Sequence, residues 1–267
     1  MKLIAYMLVL GVIFSGAWVA GAAAGPIAKP QQEAHVMAET HVDMRLPGLA
    51  AADNGYRLDL QGSQFRILGD ANKPITAFDV EHEKRLHFIV VRRDGAGYQH
   101  LHPTMAADGT WTVPLTLTQA GSYRVFADFK PSGGIKTTLG TDIQVPGQYE
   151  PATDTPNTTA TTDGYQVDLT GDLEAGKTET VTATISKDGR PVTDLQPYLG
   201  AQGHLVALRA TDLGYLHVHP LENTGPQIRF AVEVPTDGRY RLYLDFQHNG
   251  KVRTAQFTVD THGKEAH

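Results

Sequence analysis

The sequence predicts an all-β protein: two tandem immunoglobulin-like β-sandwiches following an N-terminal hydrophobic helix. Three observations carry this. Segments 55–146 and 164–260 are rich in Val, Thr, Tyr and Phe with Gly and Pro punctuation, and short strands at such regular spacing are the mark of a sandwich. The stretch GYQHLHP at 97–103 returns as GYLHVHP at 214–220. Around it, His87–Phe129 aligns without a gap on His204–Phe246, with twelve identical positions. The chain is therefore an internal duplication and divides into two domains.

The elements follow in order. Residues 1–25 hold one charge, Lys2, and are otherwise uncharged. A signal peptide would cleave at a small-residue site such as Ala20-Gly21-Ala22. A retained anchor would keep the helix, which is long enough for the ~20 apolar residues of a membrane span. The length of the uncharged stretch favours the anchor. Either reading puts the rest of the chain outside the cytoplasm, tethered to the bacterial cell membrane or secreted if cleaved. Residues 26–54 read as a stalk containing His35, Met37, His41 and Met44. Residues 147–163 are Thr- and Pro-rich and read as an interdomain linker, and 261–267 as a tail. In the sandwiches, AGSYRVFADF and DGRYRLYLDF each place Gly-x-Tyr at the start of a strand. This resembles a tyrosine corner, in which the phenol bonds back to nearby backbone.

Composition excludes several functions. There is no cysteine, so no disulfide, thiolate metal site or thiol nucleophile is available. Charge is mildly acidic, 23 Lys+Arg against 29 Asp+Glu, and no basic cluster is present for nucleic acid. No GxSxG, HExxH or phosphate-loop pattern occurs, so the expectation is a non-enzyme. Twelve histidines without cysteine mean that any metal chemistry runs on imidazole, carboxylate and thioether.

Residues i and i+2 of a strand share a face, which puts Tyr98, His100 and His102 together, and likewise Tyr215, His217 and His219. Leu216 and Val218 then mark the core side, so the histidines point to solvent or to the other domain. Asp94-Gly95 predicts a two-residue hairpin that sets His87 directly opposite His102. The same spacing sets His204 opposite His219. Each sandwich is thus expected to hold its own three-imidazole site, His87/His100/His102 and His204/His217/His219. Asp128 and Asp245 are further ligand candidates, with pairing to Arg124 and Arg241 as the competing expectation. Met105, His35, Met37, His41 and Met44 are additional candidates. Mixed Met and His outside the cytoplasm point to copper first and zinc second.

The paired GYxHxHP segments, the YR-x3-DF strands and the N-terminal apolar segment resemble a group of bacterial envelope proteins labelled heavy-metal-binding. Their domains are similar to periplasmic copper-resistance sandwiches. The resemblance implies His100, His102, His217 and His219 as ligands, with His87 and His204 beside them. The expected function, from the histidine clusters, is metal binding, buffering or delivery, with an envelope protein as candidate partner. The alternative is a structural or adhesive tandem sandwich whose His-Tyr face, with Ile89 and Val91, is a domain or partner interface.

Overall fold

The computed structural model describes residues 46–216, 218–222 and 227–261. The N-terminal helix, the anchor or signal segment, and His35, Met37, His41, Met44 and His217 lie outside these. The described residues are all-β, with four antiparallel sheets.

In the first repeat the strands are β1 (Ala52–Asp53), β2 (Tyr56–Gln61), β3 (Gln64–Leu68), β4 (Leu86–Arg92) and β5 (Gln99–Leu101). Then come β6 (Thr104–Met105), β7 (Trp111–Thr112), β8 (Gly121–Phe129) and β9 (Thr137–Val145). In the second repeat they are β10 (Thr159–Thr162), β11 (Tyr165–Thr170), β12 (Lys177–Lys187), β13 (Arg190–Pro191) and β14 (Gly203–Arg209). They continue as β15 (Tyr215–Leu216), β16 (Val218–Pro220), β17 (Gln227–Val234), β18 (Arg239–His248) and β19 (Lys251–Asp260). Each repeat pairs a four-stranded inner sheet, β5-β4-β8-β9 or β15-β14-β18-β19, with an outer sheet built from its other strands.

Alternation along the inner strands explains the packing. Phe88, Val90, Val125 and Ala127 face the outer sheet of their own repeat, meeting Phe65, Ile67 and Trp111. Leu205, Ala207, Leu242 and Leu244 do the same in the second repeat, against Val181, Ile228 and Phe230. The residues between them point the other way. Ile89, Val91 and Phe126 of the first inner sheet form a third apolar layer with Val206, Leu208, Leu213 and Tyr243 of the second. The two inner sheets therefore pack face to face, and every residue of β4 is buried. A sandwich strand normally buries one face; this one buries both, with Tyr98 stacked on Tyr243 at 4.0 Å between ring centres.

Both tyrosine corners are present. Tyr123 Oη donates to Gln119 O at 3.0 Å and Tyr240 Oη to Thr236 O at 2.7 Å. Val125 and Leu242, where a disulfide would sit in an antibody domain, are fully buried apolar side chains instead.

Two boundaries differ from the sequence reading. Residues 46–54, expected in the stalk, are hydrogen-bonded into the fold. Pro47 O accepts the Tyr215 N–H at 2.9 Å, and Gly48 N–H donates to Thr138 O at 2.9 Å. Arg124 donates to Gly48 O at 2.8 Å, while Leu46 packs on the second core. This strap lies so close to β9 that a Cβ on Gly140 would come 1.9 Å from Gly48 O. The expected linker is ordered too. Residues 159–162 are the strand β10, and before it Ala152 N–H donates to Asp94 at 2.8 Å. Backbone hydrogen bonding, which composition does not report, decides both cases.

Truncating Phe126 to Ala removes a fully buried ring from the layer between the inner sheets. A loss of about 3–5 kcal/mol in urea unfolding is expected; a loss below about 1 kcal/mol would contradict the packing described.

Candidate metal site at the domain seam

The histidines gather where this third apolar layer ends. On β4, His87 shares the face of Ile89 and Val91 and so reaches the seam. On β5, His100 pairs with Ile89. The expected two-residue hairpin is not what joins these strands. Gly95 N–H donates to Arg92 O at 2.7 Å and Arg92 N–H to Ala96 O at 2.8 Å, while Gly95 and Gly97 both have positive φ, 88° and 64°. A longer turn is followed by one extra residue on the second strand, a bulge. The two irregularities offset each other, so the expected register survives at Ile89↔His100.

The second repeat departs from this. Its hairpin pairs Leu208 with Tyr215 and Ala207 with Leu216, but the chain then leaves the inner sheet. His219 pairs with Ala231 of β17 in the outer sheet and is exposed. It does not face His204 across a ladder. The expectation of one equivalent site per sandwich fails for that reason among the described residues.

A single mixed cluster forms instead. Ring centres lie 5.3 Å apart for His87 and His100, 4.7 Å for His100 and His102, and 4.7 Å for His100 and His204. The His87 and His204 rings stack at 5.4 Å. Nitrogens of His87, His100 and His102 all lie within 4.8 Å of one another, as do ligand atoms of His100, His204 and Asp245. Donors from both repeats thus converge on one place.

Hydrogen bonding fixes which nitrogen each ring offers. His87 Nε2 lies 3.1 Å from Glu81 O; a carbonyl only accepts, so Nε2 carries the proton and Nδ1 is bare. His100 Nδ1 lies 2.7 Å from Asp245 Oδ2; a carboxylate only accepts, so this nitrogen is the protonated one. The two remaining nitrogens, His87 Nδ1 and His100 Nε2, face each other at 3.0 Å. With both rings neutral, two lone pairs would oppose. The contact needs a second proton on one ring or a cation between them. His102 Nε2 and His204 Nδ1 are buried without any hydrogen-bond partner, an arrangement that costs free energy unless something binds there.

Burial favours the neutral form of His87, His102 and His204. It drives His87 down to about 4, with the His100 ring adding to the effect. Burial and the neighbouring His100 and His87 take His102 down to about 3. His204 is held well below its usual range by burial and then by the surrounding imidazoles. Neutral imidazole is the metal-binding form.

The other candidates are placed elsewhere. Asp245 joins the cluster through His100, whereas Asp128, which pairs with His87 in the β4–β8 ladder, accepts from Thr138 at 2.7 Å and lies 3.5 Å from Lys136 Nζ. Neither aspartate pairs with the arginine four residues before it. Arg124 binds Asp142 and Arg241 binds Asp154, because four residues of strand span about 13 Å. Met105 packs against the first core. His82 was missed: its ring centre lies 5.7 Å from His204 and 6.1 Å from His87. It has no counterpart in the second repeat, so duplication gave no signal for it.

The fold and site define a duplicated β-sandwich protein whose repeats meet at a histidine-rich seam. Residues 51–147 and 160–263 each match the family described as "Domain of unknown function (DUF8832)", and the chain belongs to that family. No curated protein matches the chain. Among solved structures, domains 4 and 5 of the S-layer protein SbsC are similar at 13% identity and TM-score 0.25, over 81% of this chain and 92% of that one. A chimeric titin Z1Z2 tandem is similar at 17% identity and TM-score 0.21, over 82% of this chain and 96% of that one. At such TM-scores these likenesses carry no argument about function.

The depressed histidines set the acid stability of the metal-free protein. Unfolded, each takes up a proton near the usual 6.5; folded, His87 and His102 resist until about 4 and about 3. Between these limits the unfolded chain binds more protons, so stability falls as pH drops. The urea midpoint of the metal-free chain is expected to hold steady above pH 7 and decline from about pH 6.5 downward. The decline is shallower in His102→Gln, and equal slopes in the two proteins would contradict the assignment.

Proposed function

We propose that the chain binds one divalent transition-metal ion, copper ahead of zinc, at the seam between its sandwiches. Its role is extracytoplasmic metal binding, buffering or delivery, with the apolar N-terminal segment as tether. The observation that carries this reading is the set of unmatched nitrogens. His87 Nδ1 and His100 Nε2 oppose each other at 3.0 Å, and His102 Nε2 and His204 Nδ1 are buried without partners. Metal–imidazole bonds of about 2.0–2.1 Å place two ligand nitrogens roughly 3 Å apart, so this spacing suits a shared ion. The donors are imidazoles and a carboxylate, with no thioether among the described residues at the cluster. That set favours a divalent ion over Cu(I), and Cu(II) binds such sites more tightly than Zn(II).

Asp245 acts through His100. It accepts the Nδ1 proton and turns Nε2 towards the cluster, the carboxylate–histidine arrangement that orients metal ligands. Its other oxygen accepts from Thr254.

A second reading has its own support. The seam is a continuous apolar layer, and the His100–Asp245 bond across it would serve docking without any ion. Titration of the full chain with Cu(II) and Zn(II) against a competing chelator separates the two. Metal binding predicts one tight ion per chain, lost in His87→Ala/His102→Ala; equal binding by that variant would leave the docking role. Asp245→Asn is expected to weaken metal affinity about 10–100-fold, read in the same titration.

A further inference from the structure

The turn just before β4 carries a histidine to the edge of the cluster. Glu81 and Lys84 exchange backbone hydrogen bonds at 2.9 and 3.0 Å, and the two residues between them, His82 and Glu83, have φ of 48° and 63°. Positive φ at both central positions is the type I′ pattern, which Asn-Gly or Gly-Gly satisfies without strain. The second repeat builds the same turn, with Leu199 and Gly200 between Tyr198 and Ala201, so the turn belongs to the fold and the imidazole at its tip is particular to the first repeat.

The turn is held firmly in place. Asp79 N–H donates to Lys130 O at 2.9 Å, Lys136 Nζ meets Glu81 Oε2 at 3.2 Å, and Glu81 O accepts from His87. His82 is therefore fixed over the histidine cluster while remaining exposed on its other side. A small cleft of about 20 Å³ is lined by His82, His204, Gly203, Val218 and Pro220 among others. It sets His82 beside the ring whose Nδ1 is buried and unpartnered.

We infer that His82 is an outer, transient metal ligand beside this cleft, handing the ion to His204 and the inner rings. The inference rests on the metal-binding reading of the inner cluster. An exposed imidazole first exchanges one hydration water for nitrogen, and the ion then moves inward without full dehydration in a single step. His82 governs how fast the ion passes and contributes little to how tightly it rests.

His82→Asn is the direct test, because asparagine suits the turn better and folding is not at risk. In the full chain, Cu(II) uptake and its removal by EDTA would be followed by stopped flow, beside equilibrium affinity and thermal midpoint. The expected result is uptake and release both slowed about tenfold or more, affinity changed less than about threefold, and a thermal midpoint equal to or above the parent's. Unchanged exchange rates would overturn the inference and leave His82 as a turn residue only. A loss of affinity with unchanged uptake would overturn it by making His82 an inner ligand. Failure of the parent chain to bind metal would overturn the metal reading itself, a result distinct from either.

Discussion

Everything at the seam depends on one packing interaction: the face-to-face burial of the two inner sheets. Ile89, Val91 and Phe126 meet Val206, Leu208 and Tyr243, so each inner sheet has two buried faces, as in a sheet lying inside a stack. The apolar layer brings together strands that belong to different repeats, and the positions at its margin inherit its geometry. His87 is two residues from Ile89 on the same face, and His204 is two residues from Val206. Neither could reach the other if the sandwiches were joined only by a flexible linker.

Duplication supplies the parts, and local differences between the copies make the site asymmetric. Both inner ladders place a histidine opposite an aspartate, His87↔Asp128 and His204↔Asp245. Asp128 is engaged by Thr138 and approached by Lys136, whereas Asp245 receives the His100 proton across the seam. That one bond determines the chemistry, because it commits His100 Nδ1 to the carboxylate and leaves Nε2 to confront His87. A buried group of lone pairs facing each other is unstable as neutral imidazole alone. A second proton on one ring, or a cation between them, resolves it.

Much of this was legible in the sequence. The repeat gave two domains, the alternation Tyr98/His100/His102 gave a histidine face turned from the core, and Tyr123 and Tyr240 gave the corners. The rest depended on facts that pattern does not carry. Nothing in GYLHVHP says that the second copy abandons its ladder after Leu216 and carries His219 into the other sheet. The strap at 46–50 is too short for periodicity and is defined by its hydrogen bonds to Thr138, Gly140, Arg124 and Tyr215. His82 sits in a turn whose second-repeat counterpart carries Leu199, so the duplication did not mark it. The Arg124–Asp128 and Arg241–Asp245 pairings were open to correction from strand geometry alone, since a spacing of four places the two charges too far apart.

The central claim is that one ion would be shared by the two repeats, and anomalous diffraction from crystals grown with zinc addresses it most directly. The account predicts one strong peak at the seam, with nitrogens of His87 and His100 from the first repeat and His204 from the second at about 2.0–2.1 Å. No peak at the seam, or two separate peaks each bound by a single repeat, would contradict it.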